Sequence, residues 1–391
     1  MRVVHVCAYF APAFVYGGPP RSVFDLCRAQ IDAGADVQVV TTTANGDGEL
    51  SDALVAGGEY EGVRVRYCPR AWPRSIFNAP TLGAAVADAL RDADVLHIHG
   101  LWNASVWAAA AAARQSQRPY LVSPRGMLAP AALAHDMWRK RLIYPVKDRQ
   151  VIRHAAKFHA TSRAESAEID AIVGPGRTVY IPNGVDLPPV AAGDARLARE
   201  RVGLPPDAPV ILFLGRLHPI KRLDLVAAAF AIVRARFPDA RLIIAGPDED
   251  GHRAAIAPLF APFGPAVTWA GRVDEADKRQ WFEAASAVVM CSNSESFGMS
   301  VAEAMAAGRP VVATRTCPWP EIESHGTGFW VEQTPDAIAH GLMALLADPV
   351  GTEAMGRRGR ALIANRYSWR HVADSLINEY ESIGSRAARI A

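Results

Sequence analysis

Cysteine is scarce, with five residues (Cys7, Cys27, Cys68, Cys291 and Cys317), an odd number and no CxxC or other metal-ligand spacing. That pattern favours a reducing compartment and no zinc site. No apolar run reaches the roughly 18 residues that suggest a membrane-spanning helix, and the alanine-rich stretch Val106 to Ala113 is too short. The start, Met1-Arg-Val-Val-His-Val-Cys-Ala, has a histidine inside its apolar run and no small-residue cleavage site before Gly17-Gly18. It reads as a first buried strand rather than a signal peptide, so the expected location is cytoplasmic, at most peripheral on a membrane surface. Excess charge is also lacking: the net value is +2, which exerts no global pull on nucleic acid or anionic lipid. No GxGxxG follows the first strand, which argues against a dinucleotide-dependent oxidoreductase.

What is present is an alternation. The chain has 391 residues, half of them hydrophobic and 21% charged, a soluble balance at a length that suits two domains. Short β-branched runs alternate with helical patterns, the signature of βαβ units and parallel sheets. In the first half the expected strands are Arg2–Cys7, Asp36–Thr42, Val63–Tyr67, Val95–His99, Tyr120–Ser123, Lys157–Thr161 and Thr178–Ile181, with helices such as Ser22–Ala33 and Thr81–Arg91. Periodicity lapses at Asn183–Gly193, a Gly/Pro-dense linker. A second series follows: Val210–Leu214, Arg241–Ala245, Val267–Trp269, Ala287–Met290, Pro310–Ala313 and Gly328–Val331. Helical pattern then runs from Ala354 to Ile390, with a break near Tyr367-Ser368-Trp369. The fold class is α/β: two doubly wound, Rossmann-like domains, 1–185 and 186–368, with strand carboxyl ends facing a central cleft.

Four constellations carry chemistry. Ser294-Glu295-Ser296-Phe297-Gly298-Met299-Ser300-Val301-Ala302-Glu303 puts small residues at the mouth of a helix after a strand. Free amides and the positive end of the helix dipole there suit a phosphate, and Gly298 permits close approach. Glu295 and Glu303 can each accept two hydrogen bonds from a sugar diol, or else complement a dipole and face solvent. In Phe213-Leu-Gly-Arg216-Leu-His218-Pro-Ile-Lys221, two cations stand at a strand exit where a departing diphosphate needs neutralising. Tyr16-Gly17-Gly18-Pro19-Pro20 is either a phosphate-admitting loop or a plain turn. In Leu96-His97-Ile98-His99-Gly100, alternation puts both histidines on one face. His99, at the carboxyl end, can reach the cleft, and His97 reads as a satisfied core residue. Arg125 and Glu165 are further acceptor-side candidates.

In this order, these residues resemble glycosyltransferase family 4, the retaining family of GT-B fold. Gly17-Gly18 is similar to its N-terminal glycine loop, His99 to its strand-end histidine, and Ile181-Pro-Asn-Gly-Val-Asp186 to its interdomain segment. Arg216…Lys221 and Ile244-Ala-Gly246 resemble its phosphate-side turns, Gly271-Arg-Val273 its base-side loop, and Glu295…Glu303 its paired glutamates. The resemblance implies that Arg216 and Lys221 hold the diphosphate of a UDP- or GDP-linked sugar, helped by Gly17, Gly18 and amides near Phe297, Gly298 and Met299. It places Gly271 and Val273 at the base, Glu303 on the ribose, and Glu295 and His99 at the donor sugar. It further implies retention of configuration, no metal or other cofactor, and a final helix, 369–391, that crosses back to the first domain. The expected activity is transfer of a hexosyl unit to a saccharide or polyprenyl-linked acceptor in exopolysaccharide, O-antigen or capsule synthesis. A sugar-nucleotide epimerase of the same fold and a non-catalytic nucleotide-sugar-binding protein are the alternatives.

The segment 138–157 is basic, with Trp138, Leu142, Ile143 and Tyr144 interleaved among its arginines and lysines. It reads first as an amphipathic helix packed on the sheet with a solvated basic face, and alternatively as an attachment to an anionic inner membrane surface.

Overall fold

The computed structural model describes residues 1–134, 147–189, 195–248 and 251–390. The chain forms two compact units, Met1–Gly184 with the residues from Trp369 onward, and Val185–Ser368.

The first unit contains β1 (Arg2–Cys7), β2 (Asp36–Thr42), β3 (Ala44–Asn45), β4 (Gly48–Glu49), β5 (Glu59–Tyr60), β6 (Val63–Cys68), β7 (Val95–His99), β8 (Tyr120–Ser123), β9 (Lys157–Ala160) and β10 (Thr178–Tyr180). Eight of these form one sheet, ordered β10-β9-β8-β7-β1-β2-β6-β5, while β3 and β4 pair as a small hairpin. Within the large sheet only the edge strand β5 runs antiparallel to its neighbour. Every residue of β7 is buried, its two histidines included, as in a strand covered on both faces. The first helix spans Gly18–Asp32 rather than starting at Ser22. Pro19 and Pro20 are tolerated because they sit in its first turn, where an N–H has no helical partner.

The terminal helix Trp369–Ile390 belongs to this unit. Val372, Leu376, Tyr380 and Ile383, spaced at helical period, bury against Val3, Leu26, Val95, Leu121 and Ile181. Gly184 lies against Trp369, where a Cβ would overlap the indole.

The second unit contains β11 (Val210–Leu214), β12 (Arg241–Ala245), β13 (Val267–Gly271), β14 (Ala287–Met290), β15 (Val311–Thr314) and β16 (Gly328–Val331). They form an all-parallel sheet ordered β13-β12-β11-β14-β15-β16. The helical stretch at the end of this unit, Pro349–Arg366, stops before Trp369. The break is held by the Val185 N–H, which donates to the Tyr367 carbonyl at 2.7 Å.

Among the described residues no helix is long and apolar enough to cross a membrane. Of the basic segment 138–157, Trp138 through Tyr144 lie outside the described residues. Its described part includes the helix Arg149–His154, whose Val151 and Ile152 pack into the core of the first unit.

Candidate active site

Strand order in the second unit reverses between β11 and β14: β12 and β13 lie to one side, β15 and β16 to the other. Loops leaving the carboxyl ends of β11 and β14 therefore diverge, and the crevice they open is where doubly wound sheets bind ligands. The β11 loop turns tightly. The Gly215 N–H donates to Ala245 O at 2.9 Å, and Gly246 (φ 142°) lies so close that a Cβ there would overlap the Gly215 carbonyl oxygen. Arg216 follows directly and is exposed. Lys221 ends a short 3-10 turn that the His218 side chain caps by accepting from Ile220 N at 3.2 Å. Its Nζ meets Glu295 Oε1 at 2.5 Å, and the same oxygen accepts from Ser292 Oγ at 2.6 Å.

Gly298, at φ 84°, caps the helix Met299–Ala306, and a Cβ there would press on the Trp319 ring. Glu303 lies a turn inside this helix and accepts from Lys278 Nζ at 2.8 Å. Lys278 also meets Glu275 at 3.1 Å. Burial pulls the Lys278 pKa down, but the two carboxylates outweigh it and hold the ammonium above its ordinary range. Lys278 escaped the sequence reading because only the fold brings its helix, Glu275–Ala284, beside Glu303.

The expected donor contacts divide. Gly271 (φ 69°) lines a cavity of about 180 Å³ with Leu217, Gly246 and Trp269, whose ring has the Arg253 guanidinium 4.8 Å from its centroid. The Val273 and Met299 side chains are partly buried and pack against the core. Phe297 is 3% exposed and packs at a tilt on Trp319, whose indole N–H donates to the Phe297 carbonyl at 2.5 Å, so its ring anchors the loop.

In the first unit the switch point lies between β7 and β1. The glycine loop is narrower as an anion site than its sequence suggests. The Gly17 N–H is already bonded to Phe14 O at 3.0 Å, and Pro19 and Pro20 contribute no amide hydrogens. His99 is 5% exposed at the carboxyl end of β7 and lines a cavity of about 540 Å³. Arg125, after β8, lines it too and reaches His99 Nδ1 at 3.3 Å, Asn183 Oδ1 at 2.8 Å and Ser22 Oγ at 3.4 Å. Glu165 does not line it. Both its oxygens are taken, one by Gly126 N at 2.6 Å, the other by Thr161 N and Oγ1 at 2.7 and 2.6 Å. It is a brace between the Arg125 loop and the helix Arg163–Val173 rather than an acceptor contact.

Behind His99 runs a buried chain of hydrogen bonds with one consistent direction. Arg125 donates to His99 Nδ1, His99 Nε2 to His5 Nδ1 (2.9 Å), and His5 Nε2 to Gln30 Oε1 (2.8 Å). The Gln30 amide donates to Tyr380 Oη (3.1 Å), Tyr380 to His97 Nδ1 (2.7 Å), and His97 Nε2 to Ser123 Oγ (2.6 Å). Ser123 then donates to His159 Nδ1 and His159 Nε2 to Ile181 O, both at 2.7 Å. Every ring is neutral in this scheme, and burial first, then the Arg125 charge and neighbouring rings, depresses the pKa of each histidine: His5 to about 4, His159 to about 3, His97 and His99 well below the usual value. His5, His97 and His99 lie close enough to share a metal ion, but all six ring nitrogens are already in hydrogen bonds. His97 is the core histidine its position suggested, whereas His5, Gln30 and Tyr380 were invisible as partners in the sequence.

Residues 17–184 match the family described as "Glycosyl transferase 4-like domain", and residues 194–362 match "Glycosyl transferases group 1". A D-inositol 3-phosphate glycosyltransferase of Kineococcus radiotolerans is 30% identical over 95% of this chain and 92% of its own. The chain belongs to the group 1, family 4-like glycosyltransferases. D-inositol 3-phosphate glycosyltransferase 2 of Catenulispora acidiphila is 31% identical over 76% of this chain and 74% of its own. Among solved structures, Anabaena Alr3699/HepE in complex with UDP and glucose matches with TM-score 0.78 at 20% identity, covering 98% of this chain and all of that one. Sucrose-phosphate synthase from Thermosynechococcus elongatus matches with TM-score 0.76 at 23% identity, over 98% and 99% of the two chains. The fold of this glycosyltransferase is thus GT-B, with two Rossmann-like domains.

Proposed function

We propose that this glycosyltransferase moves a hexosyl unit from a nucleoside-diphosphate sugar to a saccharide or lipid-linked acceptor, with retention of anomeric configuration. The observation that carries the reading is the grouping at one switch point of two cations, Arg216 and Lys221, with two carboxylates, Glu295 and Glu303, beside a helix N-terminus. Cleaving a glycosyl phosphate bond builds positive charge on the sugar and negative charge on the diphosphate. Arg216, Lys221 and the helix amides stabilise the second, and Glu295 beside the sugar favours the first. Glu303 takes the ribose hydroxyls, and the departing phosphate accepts the acceptor proton. Protein cations supply the charge at the leaving group, so transfer runs without a metal ion.

The uridine nucleotide is the first donor to try, since a fold relative was crystallised with UDP and glucose. Two acceptor readings stand. One is a surface-polysaccharide intermediate at the cytoplasmic face of the membrane, approached through the basic segment 138–157. The other is a phosphorylated polyol, favoured by the names of the relatives above 30% identity. Incubation with labelled UDP-hexoses, with and without acceptor, separates the possibilities. Acceptor-dependent release of UDP and an axial product linkage from an axial donor support the proposal. Conversion of the nucleotide sugar with no acceptor present would identify an epimerase, and binding without turnover a non-catalytic protein. Flotation with anionic vesicles tests the membrane reading: binding unchanged when Arg139, Lys140 and Arg141 become Glu sinks it.

A further inference from the structure

The first-unit cavity has an unusual pairing of walls and charge. Tyr9, Tyr16, Phe77 and Trp102 line one part, with Tyr9 and Tyr16 stacked at 4.1 Å between ring centroids. Phe77, Trp102 and Arg125 hold left-handed φ values of 53°, 56° and 56°. Non-glycine residues persist there only where their surroundings enforce it, and such strain gathers at binding sites. For Trp102 one enforcing contact is the buried Asp148, which accepts from its backbone N–H at 3.0 Å.

Arg125 is the cation of this cavity among the described residues that line it. Its three hydrogen-bond partners, His99, Asn183 and Ser22, are all neutral acceptors, and it forms no ion pair among the described residues. Its Nε–H is buried with no hydrogen-bond partner. The carboxylate that sits nearest in charge influence, Glu165, has both oxygens occupied elsewhere. A buried guanidinium with no counter-charge is costly, and its unpartnered Nε–H is a donor that an oxygen of a carboxylate or phosphate can satisfy.

We propose that this cavity binds the acceptor as an anionic saccharide or polyol, its ring against the aromatic wall and its single carboxylate or phosphate held by the Arg125 guanidinium, whose Nε–H has no partner. The proposal rests on the transferase reading for the word acceptor, but not for the binding itself. It narrows that reading: a neutral sugar leaves the charge uncompensated, and both a uronic acid and a polyol phosphate meet it.

Calorimetric titration of the full chain with four probes tests this: methyl glucoside, glucuronate, glucose 6-phosphate and inositol 3-phosphate. At least one anionic probe should bind on the order of tenfold or more tightly than methyl glucoside, with glucuronate and the phosphates separating the two anion classes. In Arg125→Met that preference should disappear, while affinity for a nucleoside diphosphate stays at the wild-type value. Arg125→Lys, which keeps the charge but loses the fork, serves if the methionine variant fails to fold, and should retain a preference for the anion reduced several-fold. A neutral ring bound as tightly as the anionic ones overturns the proposal, as does an anion preference that survives in Arg125→Met or is undiminished in Arg125→Lys. Loss of nucleotide-sugar binding in the wild type, with anion binding intact, would instead overturn the transferase reading and leave the anion site standing.

Discussion

Replacing Lys221 by methionine separates two jobs of one ammonium group. In the ligand-free chain it neutralises Glu295, the two side chains being 15% and 13% exposed. Breaking a buried pair costs about 3–5 kcal/mol. Because the Glu295 carboxylate keeps its bond from Ser292, the loss of stability should fall near the lower end, about 3 kcal/mol. A Lys221→Met/Glu295→Gln double variant removes the orphaned charge and should recover most of that, a coupling visible in urea melts. Function should follow the other job. Losing one preorganised charge at a leaving group costs about 2.7–4 kcal/mol, or roughly 100- to 1,000-fold in kcat. Affinity for the bare nucleoside diphosphate should drop on the order of tenfold or more in Lys221→Met. In Glu295→Gln it should hold or tighten, since a competing carboxylate is gone, even as transfer falls. Equal weakening of diphosphate binding by both variants would refute the assignment of cation to phosphate and carboxylate to sugar.

Acid should unfold the first unit. The folded pKa values of His5 (about 4) and His159 (about 3) lie below an unfolded value near 6.5, so the stabilisation is complete above pH 6.5 and lost as pH falls toward the folded values. At pH 5 the two together cost about 4 kcal/mol, and the decline in melting temperature from pH 7 to 5 should be shallower in His159→Gln. Tyr380→Phe strands the Gln30 amide and His97 Nδ1 and should cost about 2–4 kcal/mol, with nucleoside diphosphate affinity unchanged. Gly246→Ala collides with the Gly215 carbonyl and should abolish nucleotide binding or folding, read by thermal shift. Transfer rates should be the same in excess EDTA as without it.

The strands were legible to within two residues at either end, because buried parallel strands are short apolar runs closed by polar or glycine punctuation. The strands Ala44–Asn45, Gly48–Glu49 and Glu59–Tyr60 were not, each being only two residues long. Arg216, Lys221, Glu295 and Glu303 announced themselves by position after strands, a property of local sequence. The packing of Trp319 and Tyr367 on the Phe297 ring is visible only in the fold, since its sequence neighbours are loop residues. The contacts that no local pattern encodes join distant segments. Lys278 meets Glu303 across 25 residues, and Gln30 meets Tyr380 across 350. Glu165 looked like a cleft acid because it follows a strand, yet its helix-start position turns the carboxylate onto backbone amides.

The most direct test is the structure of the chain with a nucleoside-diphosphate hexose bound. Diphosphate oxygens should lie about 3 Å from the Arg216 and Lys221 nitrogens, a hydrogen-bond distance, with the ribose hydroxyls on Glu303. A diphosphate seated away from those cations, with Glu303 still paired only to Lys278, would contradict the account.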